Sequence, residues 1–145
     1  MLGISSSFSL PPYNLFIINF FTFPLFLIFF LNNFKKKNFK SFLIGWLFGS
    51  GYFISNIYWI TNSLTFEEIF KPLIPIAFIS IPLFLGLFYG LATYLSSFFN
   101  LYRNYTSILI FASMLSFVEF VRGNILSGFP WNLIAYSWTN FNEFL

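Results

Sequence analysis

The residue types that enzymes most often use for acid–base and covalent chemistry are scarce in this sequence. It contains no Cys and no His, and its four acidic residues are Glu67, Glu68, Glu119 and Glu143. Histidine is the commonest general base and metal ligand, and a thiolate requires cysteine. A self-sufficient hydrolase or metalloenzyme is hard to build from this inventory, so we expect no metal site and no cofactor. The net charge of +3 is small, and we expect no nucleic-acid partner.

One pair of charged residues lies within an otherwise apolar stretch. Glu119 and Arg122 are three residues apart, so on a helix they share a face and can form an ion pair. A charge at the centre of a bilayer costs about 2.5–3.5 kcal/mol on insertion scales, whereas two charges near the membrane boundary are tolerated. Two interpretations are open: a structural ion pair at a helix end, or a polar anchor beside a lipid headgroup site.

Aromatic residues next to helix-breaking residues form a second candidate site. Pro130 removes a backbone donor and disfavours helix at Phe129, so Gly128, Phe129, Pro130 and Trp131 cannot comfortably continue a helix. This run is either an interfacial turn or a re-entrant segment that lines a polar cavity. Trp59, at the end of an earlier apolar stretch, is suited to the outer membrane interface.

The elements that must position these residues are apolar helices. The hydrophobic fraction is 58% and the charged fraction is 8%, where a soluble domain has about a quarter charged residues. Such a chain exposes apolar surface to lipid, and a spanning helix needs about 20 apolar residues. Four stretches qualify: about 14–31, 42–61, 73–99 and 107–122. We predict an all-α integral membrane protein of one domain, residues 1–145, with about four transmembrane helices and an interfacial or re-entrant segment over about 123–145.

Two small-xxx-small patterns, Gly45 to Gly49 and Gly86 to Gly90, predict close packing between helices. Packing within the chain is favoured, and homodimerisation is the weaker alternative. Neither pattern implies chemistry.

The distribution of Lys and Arg predicts the orientation of the helices. The loop over residues 32–41 holds four lysines, and four crossings place Arg103 on the same side. Lys71 and Arg122 fall on the other side. Because short cytoplasmic loops are enriched in Lys and Arg, we predict that the lysine loop is cytoplasmic.

Longer runs of the sequence resemble the membrane part of the apolipoprotein N-acyltransferase family. The run GWLFGSGYFISNIYWITNSLTF, Gly45 to Phe66, looks like the third membrane helix of the family and the loop after it. The run FVEFVRGNILSGFPWNLIAYSWTNF, Phe117 to Phe141, is similar to the family's acid-aromatic-x-Arg-Gly helix end and its Gly-Phe-Pro-Trp loop. SLPPY, Ser9 to Tyr13, resembles the turn that ends the first helix of the family, and order and spacing agree over most of the chain.

This resemblance implies a multi-pass protein of the bacterial inner membrane. Members of the family transfer an acyl chain from a phospholipid to the N-terminal diacylglyceryl-cysteine of lipoproteins. The resemblance therefore implies the phospholipid acyl donor and the diacylglyceryl lipoprotein as partners. Their reaction uses a Cys, a Glu and a Lys of a nitrilase-like domain, and none of the three has a counterpart in this chain. We therefore expect a fragment of a longer protein that is inactive alone, with no catalytic residue. The candidate lipid-groove or structural residues are Trp59, Glu119, Arg122, Gly128, Phe129, Pro130 and Trp131.

Two other functions are weighed against this one. A small multi-helix transporter is disfavoured because the sequence has no inverted repeat and no mid-helix charge that would mark a transport pathway. A structural membrane subunit, assembled through its glycines, is the remaining alternative.

Overall fold

The computed structural model describes residues 1–33, 39–57, 60, 64–99, 101–125 and 132–138. All regular structure in these residues is helical, as the apolar pattern predicts. The α-helices are α1 (Leu2–Ser7), α2 (Ile17–Asn33), α3 (Phe39–Asn56), α4 (Ile74–Ser96) and α5 (Tyr105–Ile125). Two 3-10 helices flank the last two of them, Glu68–Leu73 before α4 and Ile134–Trp138 after α5.

The helix boundaries follow from turn chemistry as well as from hydropathy. Helix α2 begins at Ile17, three residues after the predicted start, because the chain is still turning at Asn14, whose φ is 53°. Asparagine tolerates this left-handed conformation better than most residues. At α4, Pro75 lies in the first turn, where its missing N–H has no helical partner to lose.

The bundle has an apolar core, and much of its exterior is apolar as well. Large apolar side chains such as Phe21 and Leu109 are about two-thirds exposed, while Ser41, Ser107 and Arg122 are buried. Within the described ranges, two helical runs are long and apolar enough to cross a bilayer, Glu68–Ser96 and Tyr105–Ile125, and α2 is apolar but has 17 residues. An apolar exterior around polar interior groups is what a lipid solvent favours.

Helices α3 and α4 form the centre of the bundle and pack closely. Gly49 lies against Gly86 and Tyr89, so the two small-residue patterns face each other within the chain. Buried polar groups also join the helices: the Thr93 hydroxyl donates to the Ser41 carbonyl oxygen over 2.8 Å. Because glycine has no side chain, the backbones of α3 and α4 can approach each other closely, and the hydrogen bond fixes the register between the two helices.

Enlarging one of these glycines is expected to destabilise the fold. A Cβ at Gly45 would overlap the Tyr89 carbonyl oxygen, whereas the nearest atom to a Cβ at Gly51 would be Ile4 Cγ1 at 3.5 Å, an ordinary contact. We expect Gly45→Ala to lower the free energy of unfolding in detergent by about 1–3 kcal/mol, as overpacking does. Gly51→Ala is the matched control and is expected to be neutral or slightly stabilising. Equal losses for the two variants, measured by circular dichroism, would contradict this packing.

The two ends of the bundle are identified by contacts between distant parts of the chain. At one end, the Arg103 guanidinium before α5 donates to the Asn32 side-chain oxygen at the end of α2. At the other end, Asn19 near the start of α2 contacts Ser137 after α5. Helices α2 and α5 therefore run in opposite directions beside each other.

Candidate functional site

Arg122, in the last turns of α5, is the largest side chain that the described residues bury completely, with 1% of its surface exposed. Its guanidinium carbon lies 5.2 Å from the centroid of the Phe53 ring on α3, which is cation–π distance. Its Nη2 lies 4.0 Å from Oε1 of Glu119, one turn earlier on α5. The charge is therefore compensated by a carboxylate and an aromatic face in the protein interior.

Glu119 Oε1 accepts hydrogen bonds from two other parts of the chain. The Tyr89 hydroxyl of α4 donates to it over 3.0 Å, and the Ile134 backbone N–H donates over 3.4 Å. Charge-assisted bonds of this kind are stronger than neutral ones. One carboxylate thus joins α4, α5 and residues 132–138, which we call the 132–138 segment.

A second tyrosine contacts the beginning of the 132–138 segment. The Tyr52 hydroxyl of α3 donates to the Asn132 carbonyl oxygen over 3.2 Å. Its ring packs between neighbours, with centroids 5.8 Å from Tyr89 and 5.2 Å from Phe53. We use the name Glu119 cluster for the five side chains Tyr52, Phe53, Tyr89, Glu119 and Arg122. Rings on two helices, α3 and α4, therefore fix the polar groups that hold the segment.

A polar contact with α2 holds the other end of the segment. The Asn19 amide nitrogen of α2 donates to Ser9 Oγ over 2.9 Å and lies 3.5 Å from Ser137 Oγ. Its side-chain oxygen accepts from Ser6 Oγ over 2.7 Å. The centroid of the Trp138 ring lies 5.5 Å from that of the Phe20 ring on α2. The 132–138 segment thus has direct contacts with α2, α3 and α5.

The sequence-predicted site residues are only partly visible in this arrangement. Glu119 and Arg122 lie within pairing distance on one face of α5. Trp59, Gly128, Phe129, Pro130 and Trp131 lie outside the described residues, so their roles remain predictions.

Sequence reasoning missed Tyr52, Tyr89 and Asn19. A signal for the tyrosines is present, because each follows a packing glycine by three residues, Gly49 before Tyr52 and Gly86 before Tyr89. Residues three apart share a helix face, so a tyrosine at this spacing must point into the α3–α4 interface. Asn19 has no comparable local signal, since its partners come from α1 and from the far end of the chain.

The chemistry of the Glu119 cluster is that of positioning. Glu119 accepts from two donors, Arg122 stacks on a ring, and both tyrosine hydroxyls donate to fixed acceptors. In the part of the chain that the structure describes, no three His, Cys, Asp or Glu residues form a group that could hold a metal ion. The arrangement is suited to holding a chain segment at the end of the bundle.

Comparison with known proteins confirms the resemblance. Residues 2–145 match the family profile described as the apolipoprotein N-acyltransferase N-terminal domain. The chain is similar to the apolipoprotein N-acyltransferases of Allorhizobium ampelinum (34% identity), Rhizobium etli (32%) and Brucella melitensis (32%), over 92%, 92% and 93% of its own length. It spans 27%, 26% and 27% of the length of these relatives. No solved structure matches the chain.

Proposed function

Because the chain belongs to the apolipoprotein N-acyltransferase family, we propose that it forms the membrane portion of an enzyme that acylates bacterial lipoproteins. The acyl donor is a phospholipid, and the acceptor is the amino group of an N-terminal diacylglyceryl-cysteine. The chain anchors the enzyme in the inner membrane and positions the segment that follows α5. Residues outside this chain carry the acyl transfer, because a thioester intermediate needs a cysteine.

The observation that carries the proposal is the attachment of the 132–138 segment to the Glu119 cluster. The cluster holds a buried Arg and a Glu whose side chain is only 14% exposed, in a bundle that exposes apolar surface, although such charges are costly in lipid. Ionisable residues in membrane segments are by default functional candidates. Here the carboxylate directly holds the Ile134 backbone, so the charges act on the segment rather than on a transport path.

The same proposal includes four transmembrane helices, α2 to α5, with the loop over residues 32–41 in the cytoplasm. The contact between Arg103 and Asn32 supports this arrangement. Arg103 and the four lysines of the loop are the basic residues of the predicted cytoplasmic side, and the contact places Arg103 at the end of α2 that leads into that loop. Glu67 and the 132–138 segment then lie on the extracytoplasmic side.

This topology is testable because the chain has no native cysteine. Asn33 and Glu67 are both exposed, so each can be replaced by a single Cys. On intact spheroplasts we expect a membrane-impermeant maleimide to label Glu67→Cys strongly and Asn33→Cys only after permeabilisation. If only Asn33→Cys is labelled in intact spheroplasts, the orientation is the reverse of the proposed one.

The 145-residue chain alone is expected to have no acyltransferase activity. It lacks a thiol, and the Glu119 carboxylate already accepts hydrogen bonds from Tyr89 and Ile134. The test incubates the purified chain with phosphatidylethanolamine and a diacylglyceryl lipopeptide and looks for N-acylated peptide by mass spectrometry. The Rhizobium etli relative, purified in the same way, is the positive control. Product from the chain alone, above a no-protein control and after repurification, would reject the proposal that chemistry lies elsewhere.

A further inference from the structure

Helices α2 and α5 leave an apolar groove between them. The two helices meet through buried rings, with Phe111 of α5 5.8 Å from Phe26 and 6.4 Å from Phe30 of α2, measured between centroids. Beside these rings lie two cavities of about 420 and 470 Å³. Pro24, Leu27 and Ile108 line both cavities, which therefore form one continuous groove.

The dimensions of the groove match a lipid chain. Along α5 it runs from Tyr105 to Glu119, which is about 21 Å at the helical rise of 1.5 Å per residue. One leaflet of the hydrocarbon core is about 15 Å deep, half of the usual bilayer core. Apart from Ser116 and Glu119, the half near Glu119 is lined by apolar side chains and Pro24. An extended acyl chain that starts at one end of the bundle fits within it.

The other half of the groove has a charged mouth. Arg103 and Asn104 line it beside the apolar side chains of α2, and Arg103 is exposed. The hydrogen bond from Arg103 to Asn32 uses one of the five guanidinium N–H groups and orients the rest. A guanidinium in a fixed orientation suits the oxygens of a phosphate.

We propose that this groove binds one glycerophospholipid, with its phosphate on Arg103 and one acyl chain between α2 and α5. Charge complementarity favours this occupant, because a phosphate supplies an anion for the exposed Arg103 guanidinium that lines the groove. The headgroup lies at the end of the bundle opposite to the 132–138 segment. The bound lipid is therefore a structural partner of the helices and is separate from the acyl donor. The proposed acyl transfer does not depend on this lipid, so a failure of one proposal leaves the other unaffected.

The first test measures lipid binding by native mass spectrometry of the chain in mild detergent. We expect one bound phosphatidylglycerol per chain, and binding about tenfold or more weaker for a diacylglycerol with the same acyl chains, since a charged hydrogen bond is lost. Arg103→Gln should remove this preference. Ile108→Trp should fill the groove and abolish binding of both lipids. Leu109→Trp, on the neighbouring residue that is 67% exposed, is the matched control and should bind as the unchanged chain does.

The second test does not depend on the folding of a variant. Phosphatidylglycerol with a photoreactive group in its acyl chain is cross-linked to the unchanged protein in vesicles, and labelled peptides are mapped. We expect labels on α2 and α5 residues of the groove, at least about fivefold above those on exposed Phe84 of α4. Uniform labelling, equal binding of the two lipids, or Ile108→Trp binding like Leu109→Trp would overturn the proposal. If the chain forms a dimer and Ile108→Trp dissociates that dimer, the groove binds a second copy of the chain, and this result would overturn the proposal as well.

Discussion

Replacing Glu119 by Gln is expected to lower the free energy of unfolding in detergent by about 3–5 kcal/mol, because Arg122 then keeps a buried charge without its carboxylate. Glutamine retains a side-chain oxygen that can accept from Tyr89 and Ile134, so the substitution removes mainly the charge. Arg122→Gln is expected to lower the free energy of unfolding by a similar amount, because the Glu119 carboxylate, whose side chain is only 14% exposed, then has no cation beside it. The double variant should be no less stable than the worse single variant.

The chain contains a matched control for this experiment. Glu68 and Lys71 are also three residues apart and form an ion pair of 2.5 Å, but their side chains are 89% and 48% exposed. Exposed pairs contribute about 0–1 kcal/mol, so Glu68→Gln should change stability by no more than that. Equilibrium unfolding of the four Glu119 and Arg122 combinations measures the coupling. Additive losses, or a loss for Glu68→Gln as large as for Glu119→Gln, would contradict a buried pair.

Hydropathy and small-residue spacing predict the parts of this fold that depend on neighbouring residues. The apolar stretches predicted at about 73–99 and 107–122 overlap α4 and α5, because each helix exposes apolar side chains along most of its length. Gly45, Gly49, Gly86 and Gly90 mark close packing because only a missing side chain permits it. These signals act within one helix or between two adjacent ones.

The parts that were not predicted depend on residues that are distant in sequence. Tyr52 contacts Asn132, eighty residues later, and Asn19 contacts Ser137. The short helices Leu2–Ser7 and Glu68–Leu73 were also missed, because six residues are too few to show a helical period. The Glu119 and Arg122 spacing indicated a pair, but the segment that the pair holds could be identified only from its three-dimensional contacts.

Transplanting this chain into a relative is expected to give an active enzyme. In the chimera, the chain replaces the stretch of the Rhizobium etli apolipoprotein N-acyltransferase with which it aligns at 32% identity. If the chain supplies the membrane portion, the remainder of the relative supplies the chemistry. The Glu119 cluster should then hold the 132–138 segment where the following domain needs it. We expect Glu119→Gln to reduce the acylation rate of the chimera about tenfold or more, which corresponds to a loss of more than about 1.4 kcal/mol of positioning energy. Glu68→Gln is expected to leave the acylation rate unchanged.

The measurement that tests the central claim most directly is the acylation state of lipoproteins in bacteria depleted of their own N-acyltransferase and supplied with the chimera. Mass spectrometry of lipoprotein N-terminal peptides reports whether the third acyl chain is present. We predict that the chimera restores N-acylated peptides, and that neither this chain alone nor the remainder of the relative alone does so. A chimera that reaches the membrane at the level of the intact relative, yet leaves the lipoprotein amino groups free, would contradict the account.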